Sequence, residues 1–312
     1  MSGEPIIAVV GSLNMDLVVP VERHPSPGET VLGGDYANYP GGKGANQAVA
    51  AARSAGSTGA VRMFGRVGDD AFGRSLRAAM ERDGVLVDTV LTTDAPTGVA
   101  FIQVDEAGEN VIVVSPGANA RLSPRDLEGA WERPPKALLM QLETPLETVL
   151  EAAKGARRAG ALVILSVAPA RALSAEELRD VSLVIVNQHE AAMLLHTPEA
   201  AVRQDPEAAA RALLGLVPRA VITLAADGAV WAHSEGSGRQ PAFPATPVDT
   251  TAAGDAFSGA LAVRLAEGGT LDEAVGFACA AGALAVETRG AQPSLPHREE
   301  IEELLANARA AS

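Results

Sequence analysis

Residues 5–16 read PIIAVVGSLNMD. A short apolar run closes on a glycine, which is the form of a strand buried on both faces and ended by a turn. Two polar residues, Asn14 and Asp16, follow at a spacing of two. The same form recurs in VRMFGRVG, KALLMQLE, ALVILSVAP, VSLVIVN and RAVITLA. Alanine-rich stretches with helical spacing lie between these runs, at residues 43–55, 71–82, 145–159 and 206–215. Buried strands alternating with helices predict an α/β fold with a mostly parallel sheet covered on both faces. Ligands of such sheets sit beyond the carboxyl ends of the strands. That places attention on Asn14 and Asp16, Gln141 and Glu143, and Asn187 and Glu190, the polar residues that follow strands.

Two segments depart from the alternation. One spans residues 13–39 and is rich in Val, Pro and Gly. The other is TGVAFIQVDEAGENVIVVSPG, within residues 96–117, whose alternation on either side of DEAGEN predicts a β-hairpin. Strands inserted into an α/β scaffold are candidates for a lid over the site, and equally for ordinary surface strands. With no internal repeat, low-complexity tract or linker in view, residues 1–312 are expected to form one domain.

Composition narrows the function. Hydrophobic residues make up 47% of the 312 residues and aromatics only 3%, so the core is aliphatic. No apolar run reaches the roughly 18 residues of a membrane span. The N-terminus lacks a basic region before its short apolar run, so no signal peptide is expected. One cysteine, Cys279, excludes an internal disulfide and fits a reducing cytoplasm. A net charge of −14 argues against general nucleic-acid binding, which needs basic surface. A nucleotide ligand needs only local positive potential. Lys43, one of only three lysines, lies in PGGKGANQ. The C-terminal HREEIEELLANARAAS reads as a helix with a frayed end.

Six constellations can carry chemistry. In GSLNMDL, an extended backbone would point Asn14 and Asp16 to one face, where they could bind sugar hydroxyls; turn formation explains the same pair. In GGKGANQAVAAA the glycines, Gly42 among them, allow close backbone approach, and Asn46 lies one helical turn after Lys43. The spacing is not that of a Walker A loop. Glu143, at the end of MQLE, can bind a vicinal diol or serve the dipole of the helix that follows. Asn187 and Glu190, in VNQHE, suit a hydrated Mg²⁺. VITLAADGAVW is a strand, a turn and a second strand, and its turn could receive a nucleotide. Last, DTTAAGDAFSGAL places Ala252, Ala253 and Gly254 directly before Asp255 and a helix. Backbone amides there would hold an anion while the carboxylate takes a proton, a pairing that phosphoryl transfer requires.

Together these motifs resemble the ribokinase family of carbohydrate kinases, also called the PfkB type. The resemblance runs from VVGSLNMD to RGAQPSLPHREE, and GGKGANQAVAAARSAG and DTTAAGDAFSGAL are its most specific parts. It implies a ribokinase-like three-layer α/β/α sandwich with a small β-sheet lid, and a cytoplasmic enzyme that phosphorylates the 5-hydroxyl of D-ribose with ATP. Asn14, Asp16, Gly42, Lys43, Asn46 and Glu143 would hold the sugar, with Ile112 closing over it from the lid. Asp255 would be the catalytic base, and the amides of Ala252, Ala253 and Gly254 the anion hole. Asn187, Thr223, Leu224, Ala225, Ala226, Asp227, Gly228, Gly254 and Cys279 would hold ATP. Asn187 and Glu190 would organise Mg²⁺ through water. Asp249, Thr251, Ala285, Thr288, Gly290 and Ser294 would form a monovalent-cation (K⁺) site, largely through backbone oxygens. Lid strands would pair two subunits into a homodimer. Kinases for deoxyribose, fructose, tagatose phosphate or adenosine, and a non-catalytic sugar or nucleotide sensor, are the alternatives. The chain departs from the family at TLAADG, where Ala225 replaces a glycine, and at Cys279, a position often polar or aromatic. Both departures bear on the nucleotide.

Overall fold

The structure, a computed structural model, describes residues 6–311. Residues 1–5, on which the expectation of no signal peptide bears, and Ser312, in the expected frayed end, lie outside the described residues. In chain order the strands are β1 (Ile7–Val10), β2 (Asn14–Pro20), β3 (Ala37–Gly41), β4 (Val61–Gly68), β5 (Val90–Thr93), β6 (Gly98–Val104), β7 (Asn110–Ser115), β8 (Ala137–Met140), β9 (Leu162–Ser166), β10 (Leu183–Asn187), β11 (Arg219–Thr223), β12 (Ala229–His233) and β13 (Gly236–Gln240). The helices are α1 (Lys43–Ala55), α2 (Ala71–Arg82), α3 (Leu146–Arg158), α4 (Gln188–Leu194), α5 (Glu199–Gln204), α6 (Pro206–Leu213), α7 (Ala253–Ala266), α8 (Leu271–Ala285), α9 (Ala291–Ser294) and α10 (Arg298–Ala311).

Every apolar run named above is a strand of the larger sheet, whose order is β13-β12-β11-β10-β9-β8-β1-β4-β5. All neighbours from β11 to β5 are parallel, and only the pairings of β12, with β11 and with β13, are antiparallel. Side chains alternate across the sheet, which divides the core in two. Ile7, Val9, Leu139, Ile164, Ile185 and Val221 pack on one face with residues of α1, α2, α7 and α8. Ala8, Val10, Leu138, Met140, Val184 and Ile222 pack on the other with residues of α3, α4 and α6. Strands apolar on both faces therefore need helices on both sides, and the result is a three-layer sandwich.

Helix α7 is buried along most of its length, as expected of a helix that is apolar all round. It lies between α1 and α8. Gly259 sets its distance from α1: a Cβ there would fall 2.7 Å from both the Cβ of Ala50 and the amide nitrogen of Ala51. The missing side chain lets the two helices touch backbone to backbone, and so brings the start of α7 against the start of α1.

The two departing segments form a second sheet of order β3-β2-β6-β7. Strands β2 and β6 pair in parallel at its centre, and β3 and β7 pair antiparallel at its edges. In the register Asp16 neighbours Ala100, which neighbours Val114; Val18 neighbours Ile102, which neighbours Ile112. Asp16 and Ile112 thus share a face. Edge strand β7 is exposed throughout.

Candidate active site

The N-terminal ends of α1 and α7 meet beyond the carboxyl ends of β1, β8 and β10. Asp255 sits in the first turn of α7 and is only 8% exposed. Its Oδ2 accepts a hydrogen bond from Asn46 Nδ2 at 3.1 Å, and its Oδ1 accepts one from Gln47 Nε2 at 2.9 Å. Burial pushes its carboxyl above the usual range, while Lys43, Gln47 and Asn46 pull the other way. Lys43 opens α1, and burial disfavours its charge, yet Asp255, Glu143, Glu190 and Asp16 together hold its ammonium above the ordinary value. Lys43 is thus a buried positive charge in an otherwise acidic protein.

Ala252 precedes α7 with φ 62° and ψ 7°, a left-handed conformation unusual for alanine. Of the three amides expected to form an anion pocket, that of Ala253 donates to the Thr250 carbonyl at 3.3 Å. Those of Ala252 and Gly254, and also that of Asp255, meet no acceptor among the described residues. They front a cavity of about 250 Å³ lined by Lys43, Asn187, Glu190, Thr223, Gly254 and Asp255, among others.

Glu143 serves a helix other than the one that follows it. Its Oε2 accepts from Ser12 Oγ at 2.6 Å and from the Lys43 amide at 3.1 Å, so it lies at the N-terminus of α1, where a carboxylate is favoured. Ser12 Oγ in turn accepts from the Gly44 amide at 3.2 Å. Gly42 is the residue before α1. Asp16 is pushed up to about 7, first by burial and then by the charges of Glu143 and Asp255. Asn14 is buried, and its Oδ1 accepts from Asn119 Nδ2 at 2.8 Å, which leaves its own amide hydrogens to face outward. The Oδ1 of Asn46 is buried without a partner. Three carboxylates, a lysine and two amides thus converge, the composition that suits a polyol.

On the other side of the cavity, Asn187 and Glu190 form a capping box. The Glu190 amide donates to Asn187 Oδ1 and the Asn187 amide to Glu190 Oε2, both at 2.8 Å. Burial raises the Glu190 carboxyl. His189, between them, is an exposed partner of Glu199. The turn after β11 comprises Leu224, Ala225, Ala226, Asp227 and Gly228, and Ala225 holds φ 52°. Neither that turn nor Cys279 belongs to the cavity lining. Cys279 is buried in α8, and burial pushes its thiol up to about 12.

The segments of the expected cation site are tied together. Asp249 accepts from the Thr251 amide through Oδ1 and from the Gly290 amide through Oδ2, both at 2.9 Å. The amides of Val248 and Asp249 donate to the Val286 carbonyl. Ala285 ends α8, Thr288 is exposed, and Ser294 Oγ donates to the Ala291 carbonyl. Ile112 stands apart on β7, 49% exposed.

Sequence reasoning assigned no role to Ser12, Gln47 or Asn119, and marked Gln141 only as a polar residue that follows a strand. Gln47 carried a usable signal, since it lies four residues after Lys43 and so on the same helix face. Asn119 carried none, being brought to Asn14 only by the return of the second sheet to the body.

Comparison with known proteins accords with this geometry. Residues 5–298 match the model of the pfkB family of carbohydrate kinases. The chain belongs to that family. The kinase is 40% identical to a ribokinase of Bacillus subtilis over 304 residues, covering 96% of this chain and 99% of that protein. A structure of Arabidopsis thaliana ribokinase complexed with ribose and ATP superposes with a TM-score of 0.88, at 33% identity, over 97% of this kinase and 99% of that chain. A deoxyribokinase of Salmonella typhi is 34% identical over 307 residues, covering 96% of this kinase and 98% of that protein.

Proposed function

We propose that this kinase transfers the γ-phosphoryl group of ATP to the 5-hydroxyl of D-ribose, giving D-ribose 5-phosphate and ADP. The observation that carries the reading is the position of Asp255. It is a buried carboxylate beside unpartnered helix-terminal amides, and it faces Lys43, Asp16 and Glu143. Asn14, Asp16, Gly42, Lys43, Asn46 and Glu143 bind the sugar, and the orphaned Oδ1 of Asn46 accepts a hydrogen bond from a sugar hydroxyl. Asp255 removes the proton of the attacking hydroxyl. The amides of Ala252 and Gly254, with Lys43, balance the charge on the transferred group. The amide of Asp255 adds a donor that the sequence did not suggest.

ATP occupies the cavity side that holds Asn187 and Thr223, and extends along the turn from Leu224 to Gly228 towards Cys279. Asn187 and Glu190 hold the divalent cation through water. The donor set fits, because the capping box engages Glu190 Oε2 and leaves Oε1 for a hydrated ion. Mg²⁺ supplies charge neutralisation on the phosphates. Asp249, Thr251, Ala285, Thr288, Gly290 and Ser294 hold K⁺, supported by the way Asp249 pins its segment to Gly290. The second sheet acts as the lid of a single catalytic domain, with Ile112 on the face it shares with Asp16. Two subunits pair through this sheet. In support, Val111, Ile112, Val113 and Val114 are 46–63% exposed on an edge strand whose outer side pairs with no strand among the described residues.

A coupled ADP-release assay with ATP and Mg²⁺ tests the reading, with ribose, deoxyribose, fructose or adenosine supplied in turn, each with and without K⁺. Turnover on ribose that rises with K⁺ is expected. Turnover confined to another acceptor overturns the substrate and keeps the mechanism. Ribose binding with no turnover points to a sensor.

A further inference from the structure

Two fully buried glutamines stand behind Asp255. Gln47, on α1, is 1% exposed, and Gln141, just past β8, is 0% exposed. Gln141 Nε2 donates to Gln47 Oε1 at 2.6 Å, and Gln47 Nε2 donates to Asp255 Oδ1 at 2.9 Å. The direction of this chain is set from its far end. An ionised carboxylate only accepts, so Gln47 must turn its NH₂ towards Asp255. Its oxygen then faces Gln141, which must answer with its own NH₂. Gln141 Oε1 is left buried with no partner. It lies where Gly11 has no side chain, since a Cβ on Gly11 would fall 2.1 Å from that oxygen. A buried acceptor without a donor costs stability, and an apolar pair of the same shape would avoid that cost. Packing alone therefore does not account for two glutamines here.

We propose that Gln47 and Gln141 are positioning residues for Asp255: Gln47 locks the carboxylate and keeps it a proton acceptor, and Gln141 acts only through Gln47. The proposal rests on the phosphotransfer reading above. Gln47 on Oδ1 and Asn46 on Oδ2 fix the carboxylate plane, so the incoming hydroxyl meets only the lone-pair direction left open on each oxygen. The charged groups around it come from four elements: Lys43 from α1, Glu143 from the segment after β8, Asp16 from β2, and Glu190 from α4, which faces Lys43. Burial opposes ionisation of Asp255, and the two amide donors join Lys43 in opposing that burial.

The test uses Gln47→Met, Gln141→Met and the double variant, which keep length and remove the donors. Steady-state kcat and KM for ribose are measured across the acid limb, with Tm as a folding control. In Gln47→Met the acid limb of kcat moves up by about one to two pH units, the size of one hydrogen bond to a charged group. The KM for ribose stays within about twofold, because the uniform binding contacts are untouched. Gln141→Met gives a smaller shift in the same direction and adds nothing in the Gln47→Met background. A limb that stays in place in Gln47→Met, or additive shifts in the double variant, overturns the relay. If Gln47→Met does not fold, Gln47→Glu keeps the length and the acceptor, and an unmoved limb there has the same force. A ¹³C-aspartate NMR titration reads Asp255 without turnover, its signal assigned by loss in Asp255→Asn. An unchanged midpoint in Gln47→Met refutes the relay, whereas absent ribose turnover in the unmodified kinase refutes the phosphotransfer reading instead.

Discussion

Ala225 is the residue at which replacement by glycine should make this protein more stable. It occupies φ 52° in the turn after β11, and its side chain is exposed. An L-residue in the left-handed region costs about 1–2 kcal/mol, because its Cβ crowds the following carbonyl. Glycine removes that cost and adds about 0.4–1 kcal/mol of unfolded-state entropy. No packing is lost, since the methyl group meets solvent. The net gain for Ala225→Gly is therefore about 0.5–1 kcal/mol. In a domain of this size that raises Tm by about 1–3 °C. Urea unfolding should show a higher midpoint with an unchanged slope, the mark of a stability change rather than a changed denatured state. The turn already holds the conformation that glycine prefers, so kcat is unaffected and KM for ATP does not rise. An unchanged or lower midpoint would refute the strain argument. Unchanged stability with a raised KM for ATP would show that the methyl group itself contacts the nucleotide.

Other outcomes follow from the site. Asp255→Asn lowers kcat by roughly 10²–10⁴-fold, the range for a lost general base, and leaves ribose affinity nearly unchanged by calorimetry; a near-normal rate would refute the base assignment. The Asp16 carboxyl titrates at about 7, above its ordinary value, so it carries its proton below neutrality and loses it as the pH rises. If ribose hydroxyls bind the ionised form, kcat/KM for ribose falls below pH 7 and plateaus above it, and Asp16→Asn abolishes this limb together with most of the affinity. Gly259→Leu should separate α7 from α1, because its Cβ alone would meet Ala50 and Ala51 at 2.7 Å, and the expected result is a kcat loss with the sheet intact by circular dichroism. Val113→Asp, on the exposed edge strand, should convert a dimer to a monomer in sedimentation velocity; an unchanged mass would place the subunit contact elsewhere.

The layers of the sandwich could be read from the chain because their signal is local. Ile7–Val10 and residues 183–186 are apolar without alternation, and only a sheet covered on both faces buries such strands. The boundaries of α1 and α2 also match their expected spans at residues 43–55 and 71–82. Helix α8 gave no periodic stripe, since it is apolar on nearly every side, and a pattern without contrast shows no face. The hairpin of β6 and β7 was readable from its alternation, whereas the parallel pairing of β2 with β6 joins residues far apart in the chain and leaves no local mark.

The site divides along the same line. Lys43, Glu143, Asn187 and Asp255 could be singled out as candidates because each follows a strand or opens a helix, where unpaired backbone groups and strand ends gather ligands. Which groups touch was not visible. For Glu143 the sequence offered a vicinal diol or the helix that follows, and neither reading named the Lys43 amide, 100 residues away in the chain, that it receives. Gln141, Gln47 and Asp255 become one hydrogen-bonded line only when β8, α1 and α7 are packed together. Sequence by itself determined the layer order and the kinds of groups at the sheet's carboxyl edge, because periodicity and residue type act over a few residues. Only the tertiary structure decided partners, orientation and charge state, because hydrogen bonds and burial act over a few ångströms whatever the separation along the chain.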